Sequence, residues 1–140
     1  MPTLREYMTT SFISVHLSDD LNTLANEMKE HDVGFLPVIE NDKYAGVVTD
    51  RDIVVNGLTK GSPEDVTASQ VMTDHVVTGN PDMNVEDAAR LMQENQIKRL
   101  LVIENEHLKG VVSLGDFSAE GENSISGHVV SEVSKGFGNN

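Results

Sequence analysis

The stretch GVVTDRD at 46–52 runs from an apolar segment into a hydroxyl and, three residues later, a carboxylate. The same grammar returns in GVVSLGD at 110–116. Carried outward at this offset of 64 residues, the register holds: Met8-Thr9 falls on Met72-Thr73, Ala25 on Ala89, and Met28 on Met92. Val38-Ile39-Glu40-Asn41 falls on Val102-Ile103-Glu104-Asn105. No gap is needed from Tyr7 to Ile53, and an ungapped match of that length identifies an internal duplication.

Each copy reads as β-α-β-β-α. A β-prone piece comes first, at 12–15 and again at 76–78. In copy one, Ser18 is the expected N-cap, with Asp19 and Asp20 suiting the first turn. Leu21, Leu24, Ala25 and Met28 then follow at helical spacing, and Val85, Ala88, Ala89 and Met92 repeat the stripe after Pro81-Asp82. Two apolar strands with a tight polar turn come next: 35–39 and 44–48 around Glu40-Asn41-Asp42, then 100–103 and 108–112 around Glu104-Asn105-Glu106. A second helix follows each motif. The strands are apolar at nearly every position, which suits a sheet covered on both faces. A unit this small buries its apolar faces poorly alone, so the expected fold is α/β (α+β), two repeats packed about a pseudo-twofold axis. Repeat one spans 1–57, a linker 58–70, repeat two 71–120 and a tail 121–140. The connector GLTKGSPEDVTASQ holds the start of a short helix at 68–72. The tail offers an amphipathic helix over 124–135, using Ile125, Val129, Val130 and Val133, weakened by Gly127.

With 140 residues and no cysteine, the chain needs no disulfide staple and has no Cys-ligated zinc or Cys nucleophile. No stretch approaches the length of a membrane span, and no signal-like apolar region opens the sequence. The expected location is the cytoplasm. A net charge of −13 repels nucleic acid and anionic lipid, so neither is an expected partner. An anion bound here must be held by local cations or backbone N–H groups.

Thr49-x-x-Asp52 and Ser113-x-x-Asp116 fit the capping box, a hydroxyl N-cap with an acceptor three residues on, which alone explains the spacing. The same geometry also suits a nucleotide: a strand ending at a helix start presents N–H groups, the hydroxyl adds a donor, and the carboxylate can accept from a ribose diol. Both readings stay open on the residues alone.

The duplicated plan, the Met-Thr start of each half and the paired GVVTDRD and GVVSLGD resemble a tandem pair of CBS domains, a Bateman module, over Leu4 to about Ala119. The resemblance implies adenine nucleotides or related adenosyl compounds (AMP, ADP or ATP) in two clefts between the halves, with magnesium as companion left open. It assigns the ribose to Asp52 and Asp116, and ribose or phosphate contacts to Thr49 and Ser113. It lines the base pocket with Thr9, Phe12 and Ile13, and with Thr73, Val76 and Val77, each set facing the opposite half's Asp. Basic residues at Lys98 and Arg99 often meet phosphates in such modules, and Arg51 lies inside the first motif. Copy one has Gly34-Phe35 in place of Lys98-Arg99, so the Asp116 cleft is expected to bind phosphate better.

His16, His31, His75, His107 and His128 show no HxxxH or HExxH spacing, and no metal site is expected. No nucleophile with its base is evident, so the chain is expected to be a regulator and not an enzyme. It would act through an unidentified protein partner or its oligomeric state, as a homodimer. The competing reading is a ligand-free protein–protein interaction or scaffold module in which both motifs are helix caps and nothing more.

Overall fold

The structure is a computed structural model that describes residues 2–74 and 76–119. The helix expected over 124–135 lies outside the described residues. The element order is α1 (Leu4–Tyr7), β1 (Val15–His16), α2 (Leu21–His31), β2 (Phe35–Glu40), β3 (Lys43–Thr49), a π-helical turn (Asp52–Gly57), α3 (Ala68–Val71), β4 (Thr78–Gly79), α4 (Val85–Glu94), β5 (Arg99–Glu104), β6 (His107–Ser113) and α5 (Leu114–Ala119). It is a mixed α+β chain with two three-stranded sheets, β1-β2-β3 and β4-β5-β6.

The two sheets share one register. β1 pairs β2 in parallel with Val15 opposite Val38, and β4 pairs β5 with Gly79 opposite Val102. The antiparallel pairs run from Phe35 opposite Thr49 and from Arg99 opposite Ser113, each slipping by one residue, after Val38 and after Val102. Asn41-Asp42 and Asn105-Glu106 all have positive φ, the two-residue hairpin turn whose twist matches that of its strands. The central strands are covered on both faces, with Leu36-Pro37-Val38 and Leu100-Leu101-Val102 buried in succession. β3 and β6 are edge strands and bury fully only alternate residues, Gly46 with Val48 and Gly110 with Val112.

Helix boundaries moved where local chemistry competed. Asp20, not Ser18, caps α2: its carboxylate accepts the Thr23 amide at 2.9 Å, while Asp19 instead accepts from the His16 amide at 2.8 Å. Asn84 caps α4 by accepting from the Asp87 amide at 2.7 Å. Ala25 is exposed while its counterpart Ala89 is buried, so the apolar stripe is narrower on α2. The opening strands are two residues long, because each pairs only where it meets β2 or β5.

The chain forms two compact units, residues 13–76 and residues 2–12 with the chain from 77 onward. The sequence repeats are contiguous, but the spatial units exchange their opening arms. Leu4 of α1 is fully buried among Val85, Ala89, Met92, Leu100, Val112 and Phe117. Ala68 and Val71 of α3 are buried among Leu21, Leu24, Leu36, Val48 and Ile53. The hydrogen bonds match at the same offset. Leu4 and Arg5 amides donate to the Met83 and Pro81 carbonyls at 2.9 and 3.0 Å; Ala68 and Ser69 amides donate to Asp19 and Leu17 at 2.8 and 3.1 Å. The first residues of α4 and α2 answer in kind: the Val85 amide bonds Pro2 and the Leu21 amide bonds Val66, both at 3.0 Å. Each arm thus satisfies donors at the start of a helix that its own copy does not contain. Burying Leu4 contributes about 1.5–3 kcal/mol, comparable to a whole arm's hydrogen bonds. Tyr7 adds an edge-to-face contact with Phe117, ring centroids 5.9 Å apart.

Beyond each short helix the arm crosses an edge strand. Thr9 exchanges two backbone bonds with Val111, at 2.9 and 3.0 Å, and Thr73 exchanges two with Val47, at 2.8 and 3.0 Å. The glycines of the two GVV blocks make room. A Cβ on Gly46 would stand 2.7 Å from the Thr73 carbonyl oxygen, and one on Gly110 would stand 2.9 Å from that of Thr9. These obstacles are backbone and cannot rotate away. Gly46→Ala and Gly110→Ala should each cost about 1–3 kcal/mol in urea unfolding, as overpacked sites do; a cost below about 0.5 kcal/mol would mean that the arms lie elsewhere.

Tyr44 on β3 has a buried hydroxyl with no hydrogen-bond partner among the described residues. Burial, and then the nearby Asp74 carboxylate, push its pKa up to about 12. The unfolded phenol ionises near pH 10. The folded state therefore holds the proton longer, and the stability this contributes is complete below pH 10 and lost as pH rises toward 12. Tyr44→Phe should flatten that alkaline fall and be at least as stable as the wild type at pH 7, since it removes an unsatisfied group. A loss of 1 kcal/mol or more at pH 7 would show that the hydroxyl is bonded.

Candidate functional site

Each motif sits where an edge strand turns into a helix. Thr49 ends β3, and its amide donates to Asp52 Oδ2 at 2.9 Å while the Asp52 amide donates to Thr49 Oγ1 at 3.1 Å. Both arms of the capping box are therefore made in copy one. In copy two the Ser113 amide donates to Asp116 Oδ2 at 2.9 Å. Both carboxylates are half-buried. The cap uses one lone pair on one carboxylate oxygen and fixes the side chain in one orientation; an ionised carboxylate has about four acceptor positions, so most of its capacity is left. The Thr49 oxygen accepts from Asp52 and still has a proton to donate.

The arms carry the other expected residues to these turns. Thr9 pairs with Val111, two residues ahead of Ser113, so Thr9 and Phe12 belong to the unit that holds Asp116. Thr73 pairs with Val47, two residues ahead of Thr49, so Thr73 and Val76 belong to the unit that holds Asp52. Ile13 and Val77 part from their neighbours: Ile13 packs on the core of the 13–76 unit and Val77 on the other core. The exchange of arms is thus the reason that each Thr lies beside the other copy's motif.

The charges differ between the two turns. Arg99 stands opposite Ser113 across the ladder, and the Lys98 carbonyl accepts the Leu114 amide at 3.2 Å. The backbone of both basic residues therefore flanks the Ser113–Asp116 turn; Lys98 is half-buried and Arg99 exposed. In copy one Phe35 stands opposite Thr49, and the Gly34 carbonyl accepts the Asp50 amide at 2.9 Å. Arg51 is exposed, and its amide donates to Asp50 Oδ1 at 2.8 Å. Asp50 lies inside the motif but is no part of its hydroxyl–carboxylate pattern. Aligning the copies exposes it, since its counterpart is the buried Leu114.

One further group gathers on α2. The ligating atoms of Glu27, Glu30 and His31 lie within 4.8 Å of one another, a clustering of i, i+3 and i+4 that a search for paired histidines does not detect. His31 Nε2 is 3.5 Å from Glu27 Oε2, an exposed one-turn pair of the kind that supports helices.

Among known proteins, the family model described as the CBS domain matches residues 4–56 and 68–121. The chain is 35% identical over 135 residues to the CBS domain-containing protein YhcV of Bacillus subtilis, covering 96% of each. It is 32% identical over 120 residues to hypoxic response protein 1 of Mycobacterium tuberculosis, covering 84% of each. The crystal structure of Hypoxic Response Protein I with two coordinated zinc ions matches with a TM-score of 0.77 at 32% identity, over 86% of this chain and 99% of that one. A hexameric CBS-CP12 protein from bloom-forming cyanobacteria matches with a TM-score of 0.70 at 28% identity, over 87% and 69%. Two matched domains, a shared register and relatives of nearly equal length agree: the chain belongs to the CBS domain family and carries a tandem pair of its domains.

Proposed function

We propose that this chain is a regulatory module that binds an adenosine-containing nucleotide at its Thr49–Asp52 and Ser113–Asp116 turns and passes the signal to a partner protein or to its own assembly. The observation that carries this reading is the half-buried Asp116 carboxylate, held by the Ser113 amide at 2.9 Å beside Lys98 and Arg99. A carboxylate oriented in advance accepts a ribose diol without first losing rotamer freedom. The Ser113 hydroxyl and the two cations supply what a phosphate needs in a chain whose overall charge is −13. Thr9 and Phe12, arriving on the exchanged arm, are the proposed lining for the base. The Asp52 turn has the same carboxylate with fewer cations, so the Asp116 turn is the better phosphate site. Membership in a family of regulatory modules supports a role in sensing over one in catalysis.

The ligand-free interaction module remains the second reading, favoured by the complete capping box of Thr49 and Asp52, which accounts for that motif without a ligand. Both readings accommodate a homo-oligomer. Val54, Val55 and Leu58 on and after the π-turn are 59%, 44% and 52% exposed, the large apolar side chains left open to solvent among the described residues. A second copy is their proposed cover. Val54→Glu with Leu58→Glu should shift sedimentation to the monomer while leaving the circular dichroism spectrum unchanged; an unshifted oligomer would assign assembly to another face.

Thermal unfolding against AMP, ADP and ATP (each with and without magnesium) and S-adenosylmethionine, with GTP as contrast, tests the sensor. A ligand at 100 times its Kd adds about 2.7 kcal/mol, roughly 5–10 °C in Tm here. Asp116→Ala should abolish the shift for the phosphate-bearing ligand. Asp52→Ala and Asp116→Ala should each also cost about 0.5–2 kcal/mol without ligand, as lost caps do. That cap cost with no shift from any adenosyl compound would leave the interaction module standing.

A further inference from the structure

We propose that Asp50 makes the copy-one turn a site for an adenosyl ligand that brings no phosphate there, one neutral or cationic beyond its ribose. This rests on the adenosyl-ligand reading of the two turns and divides them by ligand charge. In the shared register the cation Lys98 gives way to Gly34, and the apolar Leu114 to the carboxylate of Asp50. In copy two the residue across from the start of α5 is Lys98, followed by Arg99 opposite Ser113. In copy one the equivalent residue is Gly34, and the space beside it holds a carboxylate: a Cβ on Gly34 would stand 3.1 Å from Asp50 Oδ2. The Arg51 amide at 2.8 Å from Asp50 Oδ1 holds the group in that position. Leu114, the counterpart of Asp50, is turned into the core and is 5% exposed. Copy one therefore presents Asp50 and Asp52 with Arg51, and copy two presents Lys98 and Arg99 with Asp116. The copy-one turn thus sets two carboxylates against one guanidinium, where the copy-two turn sets one carboxylate against two cations. A phosphate meets attraction at one and repulsion at the other, whereas a sulfonium or an unsubstituted ribose has no such conflict at Asp50.

The test is isothermal titration of the full chain with adenosine, S-adenosylmethionine and AMP. It uses Asp116→Asn as the background, so that the remaining binding reports copy one, and Asp52→Asn as the control that removes it. Expected is binding of adenosine or S-adenosylmethionine that Asp52→Asn abolishes, with AMP weaker. Adding Asp50→Asn should strengthen AMP several-fold and change adenosine less than twofold. That gain should shrink between about 50 mM and 500 mM salt, because an exposed charge is screened over a few ångströms in concentrated salt. If the Asp52-dependent site is present but the ratio of AMP to adenosine is unchanged by Asp50→Asn, the role given to Asp50 is overturned and the adenosyl reading survives. If none of the three ligands binds in a manner that depends on Asp52, the adenosyl reading of this turn fails, and the inference fails with it.

Discussion

The crossing of each opening arm over an edge-strand glycine is the constraint on which the rest of the structure depends. A pair of backbone hydrogen bonds fixes where each arm lies, Thr9 with Val111 in one and Thr73 with Val47 in the other. A side chain at Gly110 or Gly46 would push against the arm, since its Cβ would stand 2.9 or 2.7 Å from the arm's carbonyl oxygen and the backbone would have to shift. From this contact follow the burial of Leu4 and Val71 in their cores, the satisfied first turns of α4 and α2, and the arrival of a threonine two residues ahead of each capping box. A strand edge that would otherwise expose unpaired groups is covered at the same stroke.

The capping box and the proposed ligand anchor call on one geometry. A helix start needs an acceptor for its orphan amides, and Asp52 and Asp116 provide it. Meeting that need fixes a carboxylate at the end of a strand, half in solvent, with most of its lone pairs unspent. On the proposed function, the stability of the turn and the readiness of the site have one cause, and a variant that removes the carboxylate should disturb both. A conservative amide in its place separates them, because it keeps an acceptor for the cap and gives up the charge and the second acceptor oxygen.

Much of this was legible in the sequence because the chain is written twice. The 64-residue offset identifies the repeat, and the paired strands and their hairpin turns lie within one residue of the expected places, while the opening strands start three and two residues later than expected. The α2 cap is ambiguous in the sequence because Ser18, Asp19 and Asp20 all have capping side chains, and only the geometry shows Asp19 bonded back to His16 and Asp20 in the cap. Helix α1 is four residues long and carries too little periodicity to be legible alone, although the repeat maps the helix expected at 68–72 back onto Leu4–Tyr7. The exchange of arms is invisible to composition and spacing, since both copies would look the same if each arm stayed at home. Asp50 has no signal of its own in the sequence, because Thr49 and Asp52 on either side of it already satisfy the capping-box pattern.

The central claim is that the capped carboxylate is also a nucleotide anchor, and its most direct test is calorimetric titration of the full chain with AMP, comparing the wild type with Asp116→Asn. Asparagine keeps an oxygen for the Ser113 amide, so unfolding free energies should agree within about 0.5 kcal/mol. The account predicts AMP binding to the wild type that weakens at least tenfold in Asp116→Asn at this unchanged stability. Equal AMP affinity in both proteins, or none in either, would contradict it and reduce the Ser113–Asp116 turn to a helix cap.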